Sequence, residues 1–305
     1  MSSSPPAILL DGLTKYYGKV RGVDDLHLTV EPGETFGFLG PNGAGKTTTI
    51  RLLTGFMRPS AGRASVFGHD IVRESRSIRR LVGFVPGTAP YEQMTGNQVL
   101  AYLGSLQGQP PVLRDELCQR LKLDNDDLGR KLRTYSKGMR QKISIIQALQ
   151  HDPDLLIMDE PTEGLDPLMQ NELFSILQER SALGRTIFLS SHIISEVERL
   201  CDRVAIIRDG KLVAVEDVDA MRRLRSLRVE IQLVSGKLPD ELLKLAGANL
   251  LSAEDGRYIV SYQGDLGPML KVLSSMNLED LIIERPSLEE VFLTFYEGKE
   301  KTKDR

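Results

Sequence analysis

The sequence lacks the marks of several protein classes. Only two of its 305 residues are cysteines, Cys118 and Cys201, too few and too far apart for a disulfide framework or a cysteine zinc site. Its 39 Lys and Arg against 42 Asp and Glu leave a net charge of −3, which argues against a protein whose main work is electrostatic binding to nucleic acid. There is no low-complexity tract or internal repeat, so we expect a folded globular protein. The two cysteines are expected to be reduced thiols.

Long apolar runs are also missing. The start of the chain has no basic region, and its apolar run stops at Asp11, so no secretory signal is predicted. The longest uncharged stretch, 93–113, is rich in Gln, Gly and Pro, and we do not expect it to cross a bilayer.

What the sequence does contain is an alternation of strand-like and helix-like segments, which indicates α/β architecture. Three short apolar runs without polar alternation predict strands buried on both faces of a mostly parallel sheet; these are Leu155–Met158, Thr186–Leu189 and Val204–Ile207. Between about 96 and 150 the apolar spacing is helical, which predicts a helical insertion packed beside the sheet.

Two domains are expected from a chain of 305 residues. A change in composition predicts a linker near Asp209-Gly210 and the arginines between 222 and 228, so we expect domains at 1–220 and 221–305. The second would have the element order β-α-β-β-α-β of a ferredoxin-like α+β fold, followed by a last helix at 288–296.

A glycine-rich segment carries the strongest chemical signal. Residues 40–47 read GPNGAGKT, between a predicted strand and a predicted helix, as in the phosphate-binding loop pattern G-x-x-x-x-G-K-[ST]. Its backbone N–H groups and the helix N-terminus would hold phosphates. Lys46 would reach the β- and γ-phosphates, and the Thr47 hydroxyl would ligate Mg²⁺.

Two further segments are weaker when taken alone. Asp159 and Glu160 end an apolar strand, where the first would hold Mg²⁺ and the second would accept the proton of an attacking water. A solvated strand end is the simpler alternative. Residues 135–141, YSKGMRQ, precede a predicted helix and could be no more than a helix cap.

Taken together, these segments resemble the nucleotide-binding subunits of ATP-binding cassette (ABC) transporters over roughly residues 8–215. The matching nucleotide-binding residues are Tyr17, as the aromatic that stacks on adenine, and Gly40, Pro41, Asn42, Gly43, Ala44, Gly45, Lys46, Thr47 and Thr48 of the phosphate loop. Ser136, Lys137, Gly138 and Met139 match the signature segment, Asp159 and Glu160 the magnesium and base strand, Asp166 the loop that follows, and His192 the switch histidine.

One position departs from the family pattern. A glutamine that contacts Mg²⁺ usually follows the strand matching 81–86, whereas this chain has Gly87, so the resemblance implies no metal contact there. Segment 88–95 still resembles the region that couples to the membrane partner. The signature form and the ending 285–292, RPSLEEVF, resemble the branch with separate six-helix exporter subunits, the ABC-2 type.

The resemblance implies an ATPase with ATP and Mg²⁺ as ligands, which pairs head to tail with a second copy. Each ATP would lie between Lys46 of one chain and Ser136 and Gly138 of the other. It also implies separate permease subunits, no nucleic-acid partner and a cytoplasmic location on the inner face of the cell membrane. Two alternatives stay open: a cassette ATPase acting on ribosomes or DNA, and a GTPase, although the sequence has no Asn-Lys pair for the guanine motif.

Overall fold

The computed structural model describes residues 5–86, 91–223, 227–234, 237–254 and 256–284, without the side chains of 222 and 223. Its contacts divide the chain between Val218 and Asp219 into two compact units. Gly87, Arg225 and the helix expected at 288–296 lie outside these ranges. Within these ranges no helix is long and apolar enough to cross a membrane.

The centre of the first unit is a six-stranded sheet with the order β10-β9-β3-β8-β7-β6. Its strands are β3 (Thr35–Leu39), β6 (Val82–Val85), β7 (Leu155–Asp159), β8 (Thr186–Ser191), β9 (Arg203–Arg208) and β10 (Lys211–Asp217). All neighbours are parallel except β9 and β10. Every residue of β7 and β8 is buried, as are residues 204–207 of β9, which confirms the three strands predicted from runs without polar alternation.

A second, antiparallel sheet packs into the same core and was not predicted. Its order is β2-β1-β4-β5. The strands are β1 (Ile8–Tyr17), β2 (Val20–Val30), β4 (Ala61–Val66) and β5 (His69–Asp70). Buried residues of β1, β2 and β4 join β3 and the first helix in one apolar cluster, so this sheet is part of the core that holds the glycine-rich loop.

In the described part of the first unit, four helices outside the insertion accompany these sheets: α1 (Lys46–Leu53), α2 (Ser75–Leu81), α7 (Pro167–Ala182) and α8 (Ile194–Leu200). A further helix, α9 (Val218–Arg223), begins at the division between the two units. The segment Asp209-Gly210 is not a linker, because it forms the turn between β9 and β10. Both residues have positive φ, 49° and 75°, as a two-residue hairpin turn requires.

The insertion between β6 and β7 is helical, as its apolar spacing predicts. It contains α3 (Gly96–Gln107), α4 (Arg114–Arg120), α5 (Asn125–Gly129), a 3-10 turn (Leu132–Thr134) and α6 (Lys137–Leu149). Arg120 also ties α4 to α7, since its guanidinium donates to Glu172 at 2.5 Å and to both carboxylate oxygens of Glu179 at 2.6 and 2.8 Å. The insertion is therefore fastened to the sheet domain at more than one place.

The second unit has the predicted element order. Its elements are β11 (Leu227–Leu233), α10 (Asp240–Leu243), β12 (Ala248–Glu254), β13 (Arg257–Tyr262), α11 (Leu266–Ser274) and β14 (Leu278–Glu284). They form an antiparallel sheet with the order β12-β13-β11-β14. The first helix of this order, α10, is a single turn of four residues. Gly247 ends that region with φ +86°, and a Cβ there would lie 2.0 Å from the Gln263 carbonyl oxygen.

His151 is an unusual member of the first unit's interior. It is 4% exposed, and both of its ring nitrogens are buried without a hydrogen-bond partner among the residues that the structure describes. Burial lowers the pKa of His151, opposed by the nearby Asp152 carboxylate. Because the folded pKa lies below the unfolded one, the neutral ring is tolerated above the unfolded pKa of about 6.5, and stability falls as the pH drops below it.

We therefore predict that His151→Leu flattens the acid side of the stability curve. The wild-type chain should lose at most about 1.4 kcal/mol per pH unit below pH 6.5 through this one group, whereas the variant has no proton to take up here. Calorimetric melting between pH 7.5 and 5.5 measures the effect on the first unit. His27→Gln, at an exposed histidine, is the control, and an unchanged slope in His151→Leu would contradict the prediction.

Candidate functional site: a phosphate-binding edge of the parallel sheet

The glycine-rich loop joins the end of β3 to the start of α1. A Cβ at Gly40 would lie 2.4 Å from the Ile207 carbonyl oxygen, and one at Gly45 would lie 2.7 Å from the Gly22 carbonyl oxygen. Gly45 is also the N-cap of α1, with φ 110° and no side-chain cap hydrogen bond. Since the first turn of a helix leaves N–H groups without intrahelical acceptors, the loop presents donors that suit phosphate oxygens.

Lys46 is the buried cation of this loop. Its side chain is 6% exposed, and Nζ donates to the Gly40 carbonyl oxygen at 2.6 Å and lies 3.0 Å from Oε1 of Glu160. A buried ammonium group is stable only when it is paired. Lys46 is thus positioned between the loop backbone and the end of β7, where an anionic ligand on the loop would meet it.

Thr47 and Asp159 form an oxygen pair beside the same loop. The Thr47 hydroxyl donates to Oδ2 of Asp159 at 2.8 Å, and the Ser190 hydroxyl donates to Oδ1 at 2.7 Å. One hydroxyl and one carboxylate match the way Mg²⁺ is usually held, through few protein ligands together with substrate phosphates and water. The residues present therefore fit Mg²⁺.

Glu160 and His192 come from neighbouring strand ends. Nδ1 of His192 lies 2.8 Å from Oε2 of Glu160. Glu160 has φ 49°, a conformation that non-glycine residues rarely adopt. Its N–H donates to Ser190, both to the hydroxyl at 3.2 Å and to the carbonyl oxygen at 3.3 Å. Oε1 is buried and has Lys46 as its charge partner but no aligned hydrogen-bond donor, so it retains capacity to accept a proton.

Tyr17 ends β1 near the opening of α1. Its ring is 44% exposed, and its hydroxyl lies 3.3 Å from the Thr48 hydroxyl and donates to the Met57 sulfur at 3.1 Å. These contacts hold an exposed aromatic face beside the phosphate loop. Its stacking on adenine stays a prediction.

The signature segment stands apart from this cluster. Ser136 caps α6 by accepting the Met139 N–H at 3.2 Å, so the helix-cap interpretation is also correct. A Cβ at Gly138 would lie 2.7 Å from the Gly164 carbonyl oxygen. Across the described part of the chain, no hydrogen bond or ion pair joins 136–139 to residues 40–48.

The loop after Glu160 is where the signature helix makes its contacts. Lys137 pairs with Glu163 at 2.5 Å, and the Gln141 side chain donates to the Pro161 carbonyl oxygen at 2.8 Å. Asp166 ends this loop as the N-cap of α7, accepting the N–H groups of Leu168 and Met169 at 3.0 Å each. The predicted site residues therefore lie in two groups within one chain. One group surrounds the phosphate loop, and the other consists of the signature segment and the loop that ends at Asp166.

Ser190 is the site residue that the sequence prediction missed. Its side chain is fully buried, and its hydroxyl contacts both Asp159 and the Glu160 N–H. The available signal was its position, since two serines follow the apolar run of β8 at the strand end nearest the loop. A polar residue there faces the carboxyl ends of the neighbouring strands, where ligands bind in open α/β sheets.

Comparison with known proteins agrees with this geometry. The sequence profile described as ABC transporter matches residues 23–163. An ABC transporter ATP-binding protein of Nostoc sp. (strain PCC 7120) is 36% identical, over 95% of this chain and 90% of its own length. The chain belongs to the ATP-binding subunits of ABC transporters. It is therefore an ATPase that binds ATP.

Two relatives of this family are named for the compounds they are associated with, one for resistance and one for transport. The daunorubicin resistance ATP-binding protein DrrA3 of Streptomyces coeruleorubidus is 34% identical over 94% of this chain and 95% of its own length. The bacitracin transport ATP-binding protein BcrA of Bacillus licheniformis is 39% identical over 72% of this chain and 73% of its own length.

Solved structures match the cassette part of the chain. The ATP-binding subunit of an ABC transporter superposes with a TM-score of 0.66 at 32% identity, over 71% of this chain and 92% of that one. The dimeric structure of MJ0796, a bacterial ABC transporter cassette, has a TM-score of 0.61 at 21% identity, over 69% of this chain and 98% of that one. It therefore shares the fold.

We predict that Ser190→Ala raises the Mg²⁺ concentration needed for half-maximal ATP hydrolysis. Asp159 would lose the donor on Oδ1, and loss of such an orienting contact typically reduces metal affinity about tenfold. A Mg²⁺ titration of the hydrolysis rate measures the shift. Ser181→Ala is the matched control, because that hydroxyl accepts from Thr35 at the opposite end of β3. Equal Mg²⁺ midpoints in the two variants would contradict the prediction.

Proposed function

We propose that this ABC ATPase drives export through separate membrane-spanning subunits, on the inner face of the cell membrane. The observation that carries the proposal is the cluster of Lys46, Asp159, Glu160 and His192 around one phosphate loop, with distances of 2.8 to 3.0 Å along the Lys46–Glu160–His192 chain. The names of DrrA3 and BcrA support the exporter direction. We assign 1–220 to the nucleotide-binding domain and 221–305 to an accessory domain.

In the proposed reaction Glu160 is the general base. Its half-buried carboxylate would accept the proton of a water that attacks the γ-phosphate of ATP, while His192 holds the other carboxylate oxygen in place. Lys46 and the loop N–H groups would bind the β- and γ-phosphates. Mg²⁺, held by Thr47 and Asp159, would neutralise charge on the phosphates.

We further propose that the active form is a dimer of two copies arranged head to tail. Ser136 and Gly138 are separate from the phosphate loop of their own chain, and α6 begins there with 13 helical residues. Its N-terminus offers N–H donors and a partial positive charge, so the segment suits the γ-phosphate bound by the partner. The dimeric cassette with the same fold supports the arrangement.

Glu160→Gln tests the base. We expect hydrolysis to fall by about 100-fold or more, which is the usual contribution of a positioned general base, because the amide cannot take the proton. Affinity for a fluorescent ATP analogue should stay within a few-fold of wild type. Glu74→Gln, at an exposed carboxylate beside β5, is the control. Near-normal steady-state hydrolysis in Glu160→Gln would remove Glu160 from this role.

A groove between α2, β6 and the insertion is the proposed docking surface for the permease. Its cavity of about 670 Å³ is lined mainly by apolar side chains from α3, α6 and β6. Phe56, 61% exposed, and Leu106, 61% exposed, open onto it. Arg76 and Arg79 line its rim on α2 and are exposed. In the described ranges neither arginine has an ion-pair partner, so an amphipathic permease segment with acidic side chains fits both the apolar lining and the charge.

This surface can be tested by photo-crosslinking in membranes of the native host. We expect a photoreactive residue in place of Phe56 to capture a polytopic membrane protein, and Arg79→Glu to reduce that capture because it reverses the rim charge. The same residue in place of Leu183, which is 64% exposed and outside the groove, is the control. Capture of soluble proteins only, or equal capture from both positions, would contradict the docking surface and the export function.

A further inference from the structure

A buried carboxylate behind the catalytic cluster has no part in the reaction described so far. Glu196, on α8, is 6% exposed. Oε1 accepts a hydrogen bond from the Thr162 hydroxyl at 2.6 Å, and Oε2 accepts one from the Ser191 hydroxyl at 2.7 Å. Throughout the described ranges no Lys, Arg or His lies within ion-pair distance of it.

Such a group needs a physical reason to be there. Burying a carboxylate is unfavourable unless its oxygens are hydrogen-bonded, and a cation is the usual partner. Here two short hydroxyl donors take that place, in the distance range of charge-assisted O–H···O⁻ bonds. Removing either donor would leave an unsatisfied buried oxygen, so the three side chains form one interdependent unit.

The two donors lie next to the two proposed catalytic residues. Thr162 follows Glu160 by two positions, in the loop after β7. Ser191 directly precedes His192, and its hydroxyl also accepts the Ile193 N–H at 2.9 Å. The Ser191 hydroxyl therefore links Glu196 to the Ile193 N–H, on the other side of His192 along the chain. Through these two hydroxyls Glu196 connects the segment that carries Glu160 with the segment that carries His192.

We propose that Glu196 is a positioning residue that sets the spacing between Glu160 and His192. The direct contact between those two side chains, 2.8 Å, involves the reacting carboxylate itself, so its strength changes when Glu160 accepts a proton. The connection through Glu196 lies behind the site and does not involve either reacting group, so it holds the two segments together when that contact changes. This inference rests on the proposed roles of Glu160 and His192.

The chemistry of the unit explains why a carboxylate fits better than an amide. A carboxylate only accepts, so both hydroxyls must donate to it, and the Ser191 oxygen keeps its lone pairs for the Ile193 N–H. A glutamine would offer one acceptor and one donor. One hydroxyl would then have to accept instead of donating, and if that hydroxyl were Ser191 its hydrogen bonds beside His192 would have to rearrange.

The test is a kinetic comparison of Glu196→Ala, Glu196→Gln and Thr162→Val. Misplacement of a catalytic group by about 1 Å can reduce the rate about 100-fold, so we expect kcat to fall by about 10- to 100-fold in Glu196→Ala. The kcat of Glu196→Gln should lie between those of the wild type and Glu196→Ala. In both variants, KM for ATP and the affinity for a fluorescent ATP analogue should change less than threefold. Thr162→Val keeps the shape of the side chain and removes one hydrogen-bond donor, so it should lower kcat without changing KM for ATP.

A core substitution controls for simple loss of stability. Ile8→Val, at a fully buried position of β1, lowers stability by about 1 kcal/mol and should leave kcat per folded molecule unchanged. If Glu196→Ala fails to fold, Thr162→Val and Glu196→Gln carry the test. The proposal is overturned if kcat per folded molecule stays within twofold of wild type in the variants that fold, or if KM rises in step with the loss of kcat.

Glu160→Gln, measured in the same series, separates the two possible failures. If Glu160→Gln abolishes hydrolysis while the Glu196 and Thr162 variants do not affect it, the positioning role is wrong and the proposed function stands. If Glu160→Gln hydrolyses ATP normally, the proposed base is wrong, and the positioning role fails with it.

Discussion

The pairing of buried charges at one edge of a parallel sheet is the constraint on which this structure depends. Lys46 is almost fully buried, and its positive charge would destabilise the fold without the Gly40 carbonyl oxygen and Glu160 beside it. Parallel strands bring these groups together because their carboxyl ends meet at the same edge. The antiparallel sheet, the insertion and α8 then fix the segments that follow those strands.

This pairing couples nucleotide binding to the state of the proposed base. A triphosphate on the loop and the Glu160 carboxylate are both anions that compete for the Lys46 ammonium group. In the proposed reaction, phosphate oxygens would take over part of that interaction, and Glu160 would keep His192 as its neighbour. Ligand binding would then change the contacts of the carboxylate with no movement of the sheet required.

Much of this arrangement could be predicted from the sequence, because local rules govern it. Apolar runs without alternation identified the buried parallel strands, and the glycine spacing identified the loop, since only glycine fits where backbone from a neighbouring strand approaches so closely. The element order of the second unit followed from strand and helix patterns in the same way. Each of these signals is contained within a few consecutive residues.

The parts that were missed depend on contacts between distant segments. Ser190 and Glu196 read as an ordinary strand end and an ordinary helical glutamate, and nothing near them in sequence marks their partners Asp159 and Thr162. The Asp209-Gly210 turn was taken for a linker, because a hairpin and a linker have the same local composition. The separation of the signature segment from the phosphate loop is likewise a property of the tertiary fold.

The close packing of Gly138 against Gly164 has a consequence for how such a protein can diverge. The loop from Pro161 to Gly164 follows Glu160 directly and also supports the start of α6. One short stretch of backbone therefore belongs to the chain's own hydrolysis centre and, in the proposed dimer, to the surface it offers the other chain. A Cβ at Gly138 would lie 2.7 Å from the Gly164 carbonyl oxygen, so even the smallest added side chain would disturb both at once.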